Sequence, residues 1–406
     1  MKKTILLSLL ALSFSTAIAS AESCKVIRTD VFSRVSDPTL PSGSSLGTGY
    51  GQTLILKEDE IAVTAVGGSQ SGYLFLSPNH KDSHLLSVDP AQMYDYGPKE
   101  LNDGRIVIGS KMGELQYLDH RGNLLGKFMV APNEHVYVGL VEKDDSLLVI
   151  APMSGVLYRV SPQGIIMKLL TQKEFSESFT TVQEYSDGHL SLNFLDTDSD
   201  ISLELLTHDG KLDFIVPNDE FFPNTFQPTS EVAPGIVAIP GNHWVTGNNK
   251  AQASIAYVNL ATKQTTLSDF GNGKLIFFQK LNPTDFAIIF STNDGKETIQ
   301  YFHGTEKAWE RVQPDALNDA GFQFAQLSDA TLVLPQAQKI QFFSPKGNLK
   351  AEFSFKGLDT DPTSHQDQNP MSPIHVLSDD TVMVSQWYFQ GLRFSYLKLI
   401  CQQSEF

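Results

Sequence analysis

The chain has 406 residues, of which 41% are hydrophobic, and this is enough apolar content for a folded core and excludes a disordered protein. Its 46 acidic and 30 basic residues give a formal net charge of −16 at pH 7. Nucleic acid and anionic membranes are therefore excluded as expected partners, because their phosphates would repel so acidic a surface.

The N-terminus has the pattern of a secretory signal peptide. Lys2 and Lys3 precede a largely apolar stretch at residues 5–18, and Ala19-Ser20-Ala21 forms a small-residue cleavage site. The pattern predicts cleavage after Ala21 and export to the periplasm or the medium. No later segment has the roughly 18 consecutive apolar residues of a membrane helix, so no transmembrane segment is expected.

A turn of Asp, Asn, Gly, Ser or Pro recurs along the chain, and these residues favour turn geometry. The eight copies lie at residues 58–60, 102–104, 144–146, 186–188, 233–235, 282–284, 327–330 and 378–380. An apolar run follows each turn, as expected for an inner strand covered on both faces. A more clearly alternating strand comes next.

A second, closing turn recurs at residues 77–80, 119–122, 161–164, 207–210 and 344–347. Repeats five and six lack a clearly recognisable closing turn. Repeat four contains about four extra residues around Asp196-Thr197-Asp198-Ser199-Asp200. The last repeat supplies only about two strands after its turn, so a strand near Cys24 is expected to complete it.

A repeat of 42 to 50 residues built from short strands predicts an all-β protein with a β-propeller fold. Eight turns indicate eight blades, or seven if one turn is not a true marker. The predicted organisation is a signal peptide at residues 1–21, an N-terminal closing strand and loop at 22–51, and the propeller at 52–406. The ring is expected to be closed by its N- and C-terminal strands, and to be a monomer.

The two cysteines, Cys24 and Cys401, lie at opposite ends of the exported chain. A propeller brings its first and last strands together, and oxidising compartments favour disulfides, so a Cys24–Cys401 bridge is predicted. The chain-entropy model gives about 6 kcal/mol as its upper bound. Two alternatives remain at this stage: acylation of Cys24, for which Glu22 and Ala21 are unsuitable neighbours, and two free thiols.

The repeat resembles that of the quinoprotein-like (PQQ-like) propeller family, best at residues 102–122 and next best at 144–164. In architecture the chain is also similar to the propeller proteins of outer-membrane assembly. The tryptophan that often ends a quinoprotein repeat is replaced at position 128 by Phe128, and adjacent cysteines are absent. The resemblance therefore implies a propeller without quinone chemistry, and no cofactor is expected.

Two groups of residues are candidate sites. Asp196, Asp198 and Asp200 resemble the start of a calcium loop, although Ile201 and Thr207 stand where an EF-hand needs glycine and glutamate. Their alternative role is a solvated hairpin tip. Five aromatic residues beside polar neighbours are candidates for a recognition patch or, alternatively, for packing between blades: Phe221, Phe222, Phe226, Trp387 and Tyr388.

The sequence contains no recognisable catalytic constellation, so we expect a non-catalytic scaffold that binds a protein or a small ligand through its loops. One alternative is a hydrolase or lactonase with a metal in the central channel. Another is a sensor of a small ligand or sugar, with an aromatic-lined pocket there. The sequence does not identify the partner.

Overall fold

The computed structural model describes residues 23–35, 53–67, 70–77, 83–88, 98–171, 182–193, 203–216, 221–223, 229–245, 250–292, 294–313, 324–336, 339–355, 370–388 and 391–402. The predicted signal peptide lies outside these residues. Within them, no helix has the length and apolar character needed to cross a membrane.

The structure is an all-β propeller of eight blades, each built from antiparallel strands paired in order. The strands of blade one are β2 (Thr53–Ile55), β3 (Ile61–Gly67), β4 (Gln70–Leu76) and β5 (Ser83–Val88). Blade two contains β6 (Lys99–Glu100), β7 (Ile106–Gly109), β8 (Glu114–Leu118) and β9 (Leu124–Met129). Blade three contains β10 (Tyr137–Val141), β11 (Leu147–Ala151), β12 (Val156–Val160) and β13 (Ile166–Thr171). Blade four contains β14 (Val182–Glu184), β15 (Leu190–Asn193), β16 (Leu203–Leu206) and β17 (Leu212–Val216).

Blades five and six share one long strand. Blade five contains β18 (Phe221–Pro223), β19 (Ser230–Ala233), β20 (Ile236–Val245), β21 (Lys250–Asn259) and the first half of β22 (Gln264–Lys280). Blade six contains the second half of β22 with β23 (Asp285–Thr292), β24 (Glu297–His303) and β25 (Glu306–Gln313). Blade seven contains β26 (Ala325–Gln326), β27 (Leu332–Gln336), β28 (Lys339–Phe343) and β29 (Leu349–Ser354). Blade eight contains β30 (Pro370–Val376), β31 (Val382–Tyr388), β32 (Gly391–Gln402) and β1 (Ser23–Val35).

All eight marker turns connect the first and second strands of a blade, which confirms the predicted blade count. The apolar runs after them are second strands, not the innermost strands that the sequence suggested. The innermost strands of neighbouring blades contact one another, as β10 does with β6 and β14. The second strands are the most apolar because a blade packs on each of their faces, and every residue of β11 is buried.

The two weak closing turns have a simple structural cause. In blade five, β21 and β22 are joined through residues 260–263, where Lys263 adopts a left-handed φ of 57°. In blade six, Gly304 and Thr305 alone join β24 to β25. Neither turn has the Ser-Pro-x-Gly or Asp-x-x-Gly pattern found at residues 119–122, 161–164 and 344–347.

The chain termini close the ring, as predicted. β1 pairs with β32 on the outside of blade eight, and Cys24 lies directly opposite Cys401 in this ladder. The two cysteines form a disulfide, with their Cα atoms 4.0 Å apart. Both β1 and its pairing extend to Val35, well beyond the immediate surroundings of Cys24 where the strand was expected.

Candidate functional site

The sequence-predicted site residues are only partly described. Asp196, Asp198, Asp200 and Phe226 lie outside the described residues, so calcium binding by the three aspartates stays a prediction. For Phe222, Trp387 and Tyr388, the structure describes the backbone, on β18 and β31. Phe221 is 3% exposed and packs with Val237 and Ile239 in a core cluster. Phe221 therefore packs inside the protein, the alternative that the sequence left open.

One group of metal-ligating side chains occurs in the described part of the chain, between blades three and four. It consists of Glu142, Glu184 and His208, whose ligand atoms lie within 4.8 Å of one another. Arg159 of blade three contacts two members of this group, Glu142 and His208. Its Nε and Nη2 donate to both carboxylate oxygens of Glu142, at 2.7–3.1 Å, and its Nη1 donates to the His208 backbone carbonyl at 2.8 Å.

This arrangement does not fit a metal ion. Glu142 is almost fully buried and is already neutralised by a two-pronged guanidinium contact, the geometry that favours arginine over other cations. Nη2 of Arg159 also lies 3.2 Å from Nδ1 of His208. The group therefore joins blade three to blade four as an ion-pair cluster with arginine as its cation.

A related cluster joins blades one and two. Nδ1 of His120 lies 2.6 Å from Glu60 Oε2, and its Nε2 lies 3.4 Å from Glu100 Oε1. The two carboxylates thus face opposite nitrogens of one imidazole ring. A single ion cannot bind through both nitrogens of one ring, so His120 acts here as a bridge between the blades.

A third polar network surrounds Asp285 in blade six, which is 8% exposed. Its carboxylate accepts hydrogen bonds from Asn282 Nδ2 at 2.9 Å, from His303 Nδ1 at 2.7 Å and from the Tyr301 hydroxyl. Burial alone would raise the pKa of Asp285, but these hydrogen bonds outweigh it and lower the pKa to about 2. The carboxylate is thus a fixed acceptor within its blade, and it is not poised to exchange a proton near neutral pH.

The surface feature that stands out is apolar. We call it the apolar belt: the exposed side chains on the outer strands of blades two to four, and on the turn residue before β13. They are Leu124, Leu125, Met129, Ile165, Ile166, Met167, Leu212 and Ile215. The outer strands of blades five, six and seven expose one comparable side chain each, namely Leu267, Val312 and Leu349.

The outer strands of blades two and three each pack against the closing turn of the next blade. A Cβ on Gly164 would lie 2.9 Å from Phe128 Cε2, and one on Gly210 would lie 2.7 Å from Leu169 Cβ. Both glycines also have a left-handed φ of 79°. These close approaches place the closing turn of blade three beside β9 and the closing turn of blade four beside β13.

The belt was not predicted from the sequence, although the sequence contains a signal for it. After each closing turn, a half-exposed outer strand should alternate polar and apolar residues. The segments 124–129 and 165–170 instead have adjacent aliphatic residues, Leu124-Leu125 and Ile165-Ile166-Met167. Such runs could have been recognised as unusual once their strands were assigned to the rim.

Comparison with known proteins supports the fold and does not identify a family. No protein-family model and no curated protein matches the chain. The Dos1 propeller has a TM-score of 0.59 at 11% identity, covering 91% of this chain and 95% of its own. BamB from Moraxella catarrhalis has a TM-score of 0.54 at 14% identity, covering 91% and 97%.

A third similar structure, oligogalacturonate lyase in complex with manganese, has a TM-score of 0.51 at 11% identity and covers 93% of this chain and 98% of its own. At these identities the similarity establishes a shared propeller fold alone. The predicted membership of the quinoprotein-like family is not confirmed, because no family model matches.

Proposed function

We propose that this protein is an exported, non-catalytic scaffold that binds other polypeptides through the apolar belt. The observation that carries the proposal is the uneven distribution of exposed aliphatic side chains, which are concentrated on blades two to four. Single exposed apolar residues are normal on a protein surface, whereas a contiguous group of them is typical of an interaction site.

The polar clusters support a structural role for the ring itself. In the described residues, Arg159 neutralises Glu142, His120 bridges Glu60 and Glu100, and Asp285 is surrounded by donors. Each of these groups is engaged in contacts within or between blades. The disulfide also fits export, since such bonds persist in oxidising compartments.

Site-specific photocrosslinking in the exporting organism tests the proposal. A photoreactive amino acid would replace Leu125 or Ile215 in the belt, and Leu349 would serve as the matched control, because it lies on the outer strand of blade seven with a similar exposure of 43%. We expect discrete adducts with a polypeptide from the belt positions and none from position 349. Equal labelling at all three positions, or at none, would contradict the proposal.

The second candidate function, a metal-dependent hydrolase of the central channel, is tested by elemental analysis of the purified native protein. A bound metal in stoichiometric amount, together with an absence of belt adducts, would favour the hydrolase. The scaffold proposal expects belt adducts without a stoichiometric metal.

A further inference from the structure

The outer strand of blade three differs from those of blades two, four and seven in where it is irregular, and it shares a regular start with the outer strands of blades one and five. In blades two, four and seven, the second residue of the outer strand is an extra, bulged residue: Leu125, Asp213 and Lys350 respectively. A bulge beside the closing turn disrupts the regular edge of a sheet and makes it unsuitable for pairing with another chain.

In blade three the bulge is displaced to Leu169, two residues further along the strand. Ile166, Met167 and Lys168 consequently pair with Val160, Arg159 and Tyr158 without interruption. On its other side, β13 has no neighbouring strand among the described residues. This strand therefore presents a regular edge with unpaired backbone N–H and C=O groups beside the closing turn.

The side chains along this edge are apolar and exposed. Ile165, Ile166 and Met167 are 66%, 40% and 53% exposed. Protective charges are usual on an edge strand, and none occurs before Lys168. The segment from Gly164 to Thr171 contains no acidic residue, in a chain whose net charge is −16.

Lys168 also differs from Lys127 and Lys350, the lysines of the outer strands of blades two and seven. Lys127 of β9 pairs with Glu114 at 3.3 Å, and Lys350 of β29 pairs with Asp329 at 3.1 Å, both within their own blades. Within the described part of the chain, Lys168 has no carboxylate partner. Its ammonium group is thus available to a carboxylate from outside the chain.

We propose that β13 of blade three is an acceptor for an added β-strand, and that its partner is an extended polypeptide segment with alternating aliphatic side chains and a carboxylate opposite Lys168. The free edge of β13 favours a partner with an extended backbone, and Ile165, Ile166 and Met167 favour aliphatic side chains on that partner. Lys168 favours a negatively charged side chain opposite it. This inference rests on the proposed function and specifies the part of the belt that binds first.

A second copy of the chain is a poorer occupant of this edge. In the antiparallel register centred on Lys168, the lysines of the two copies would lie opposite each other, and like charges in that position are destabilising. An acidic extended segment forms the opposite pairing and is stabilised by the same lysine.

The test uses the full-length oxidised protein and a fluorescein-labelled short peptide of alternating valine and threonine with one central glutamate. We expect saturable binding in fluorescence anisotropy, and weaker binding of a peptide with lysine at its centre. Lys168→Glu should reverse this preference, with a change of roughly fivefold in affinity for each peptide. A peptide methylated on alternate backbone nitrogens should not bind, because it cannot complete the ladder.

Substitutions at two exposed positions distinguish binding at the edge of β13 from non-specific hydrophobic binding of the peptide. Met167→Asp should abolish binding, whereas Leu349→Asp on blade seven should leave it unchanged. Equal loss in both variants, or undiminished binding of the methylated peptide, would overturn the proposal. A wild-type dimer in sedimentation that Met167→Asp dissociates would also overturn it, in favour of a second copy.

The outcome is separable from that of the proposed function. If the peptide fails to bind but photocrosslinks from Leu125 and Ile215 persist, strand addition at β13 is wrong and the scaffold remains. If neither is observed, both proposals fail together.

Discussion

Asp59 of blade one accepts two hydrogen bonds from Ser378 of blade eight, one from the backbone N–H at 2.9 Å and one from the hydroxyl at 2.5 Å. The two residues are 319 positions apart in the sequence. Asp145 and Asp380 make the same kind of contact with the preceding blade, to Asn102 and Ser328. We call these contacts latches.

The latches have two forms. Asp59, Asp145 and Asp380 all occupy the left-handed position of a marker turn, with φ between 61° and 65°. In blades two and five this position is glycine. There, a glutamate four residues earlier accepts the hydrogen bond from the preceding blade. Glu100 accepts from the Lys57 backbone N–H at 2.9 Å, and Glu231 accepts from that of Ser186 at 2.8 Å.

The first prediction concerns the latch that closes the ring. Asp59→Ala should lower the free energy of unfolding by about 1–2 kcal/mol, because it removes hydrogen bonds to a charged acceptor. Asp59→Gly should lose about 0.5–1 kcal/mol less, since glycine adopts a positive φ without strain. Urea denaturation of the intact chain measures both. Equal stabilities for the two variants would show that backbone strain at this turn is negligible.

The second prediction concerns the disulfide. Replacing Cys24 and Cys401 with serine should lower the stability by roughly 2–5 kcal/mol, because the bridge closes a loop of 377 residues and restricts the unfolded chain. The same loss should follow from adding reductant to the wild-type protein during denaturation. The serine variant is the control, because reductant should not alter its stability. A reductant effect on that variant would contradict this explanation.

The third prediction is a loss of stability in acid caused by His375. Burial lowers the pKa of this histidine to about 4, and no hydrogen-bond partner of its Nε2 is found in the described structure. The folded state thus resists a proton that the unfolded chain accepts below about pH 6.5. Stability should be complete above pH 6.5 and fall by about 3 kcal/mol as the pH drops towards 4.

Denaturation at several pH values, in wild type and in His375→Gln, checks this prediction. The variant should have a much flatter profile between pH 6.5 and 4. If His375→Gln keeps the full acid sensitivity, another group is responsible.

The fourth prediction concerns the cluster between blades three and four. Arg159→Ala should cost about 3–5 kcal/mol, because it leaves the buried carboxylate of Glu142 without its cation. Added Mn²⁺ should recover part of the stability of Arg159→Ala through Glu142, Glu184 and His208, and should not stabilise the wild type. Thermal unfolding with and without the metal measures this. Stabilisation of the wild-type protein by Mn²⁺ would mean that arginine does not exclude a metal.

Much of the fold could be predicted from local chemistry. Six of the eight marker turns place an aspartate or a glycine at a left-handed position, so these residues identify most of the turns at the correct intervals. The unfinished last repeat and the terminal cysteines together predicted the closing strand. The aspartates of the latches were also visible, but their partners lie in a neighbouring blade and no local pattern specifies them.

The candidate site was less predictable. Phe221 follows the same aromatic-beside-polar pattern as a recognition residue, yet it is buried, because only the packing of blades four and five decides which face of β18 is covered. The cluster of Glu142, Glu184 and His208 unites residues from two blades. Its cation, Arg159, could be assigned only once those blades were placed side by side.

By itself, the sequence determined the number of repeats, the turn positions and the ends of the ring, because hairpin turns depend on residues that are adjacent in the chain. The tertiary structure alone decided which charges meet, which aromatic residue is buried and where the edge of β13 is regular. Those properties depend on contacts between blades and on a two-residue displacement of the bulge in β13. A bulge is set by strand register, and register is a property of two strands together.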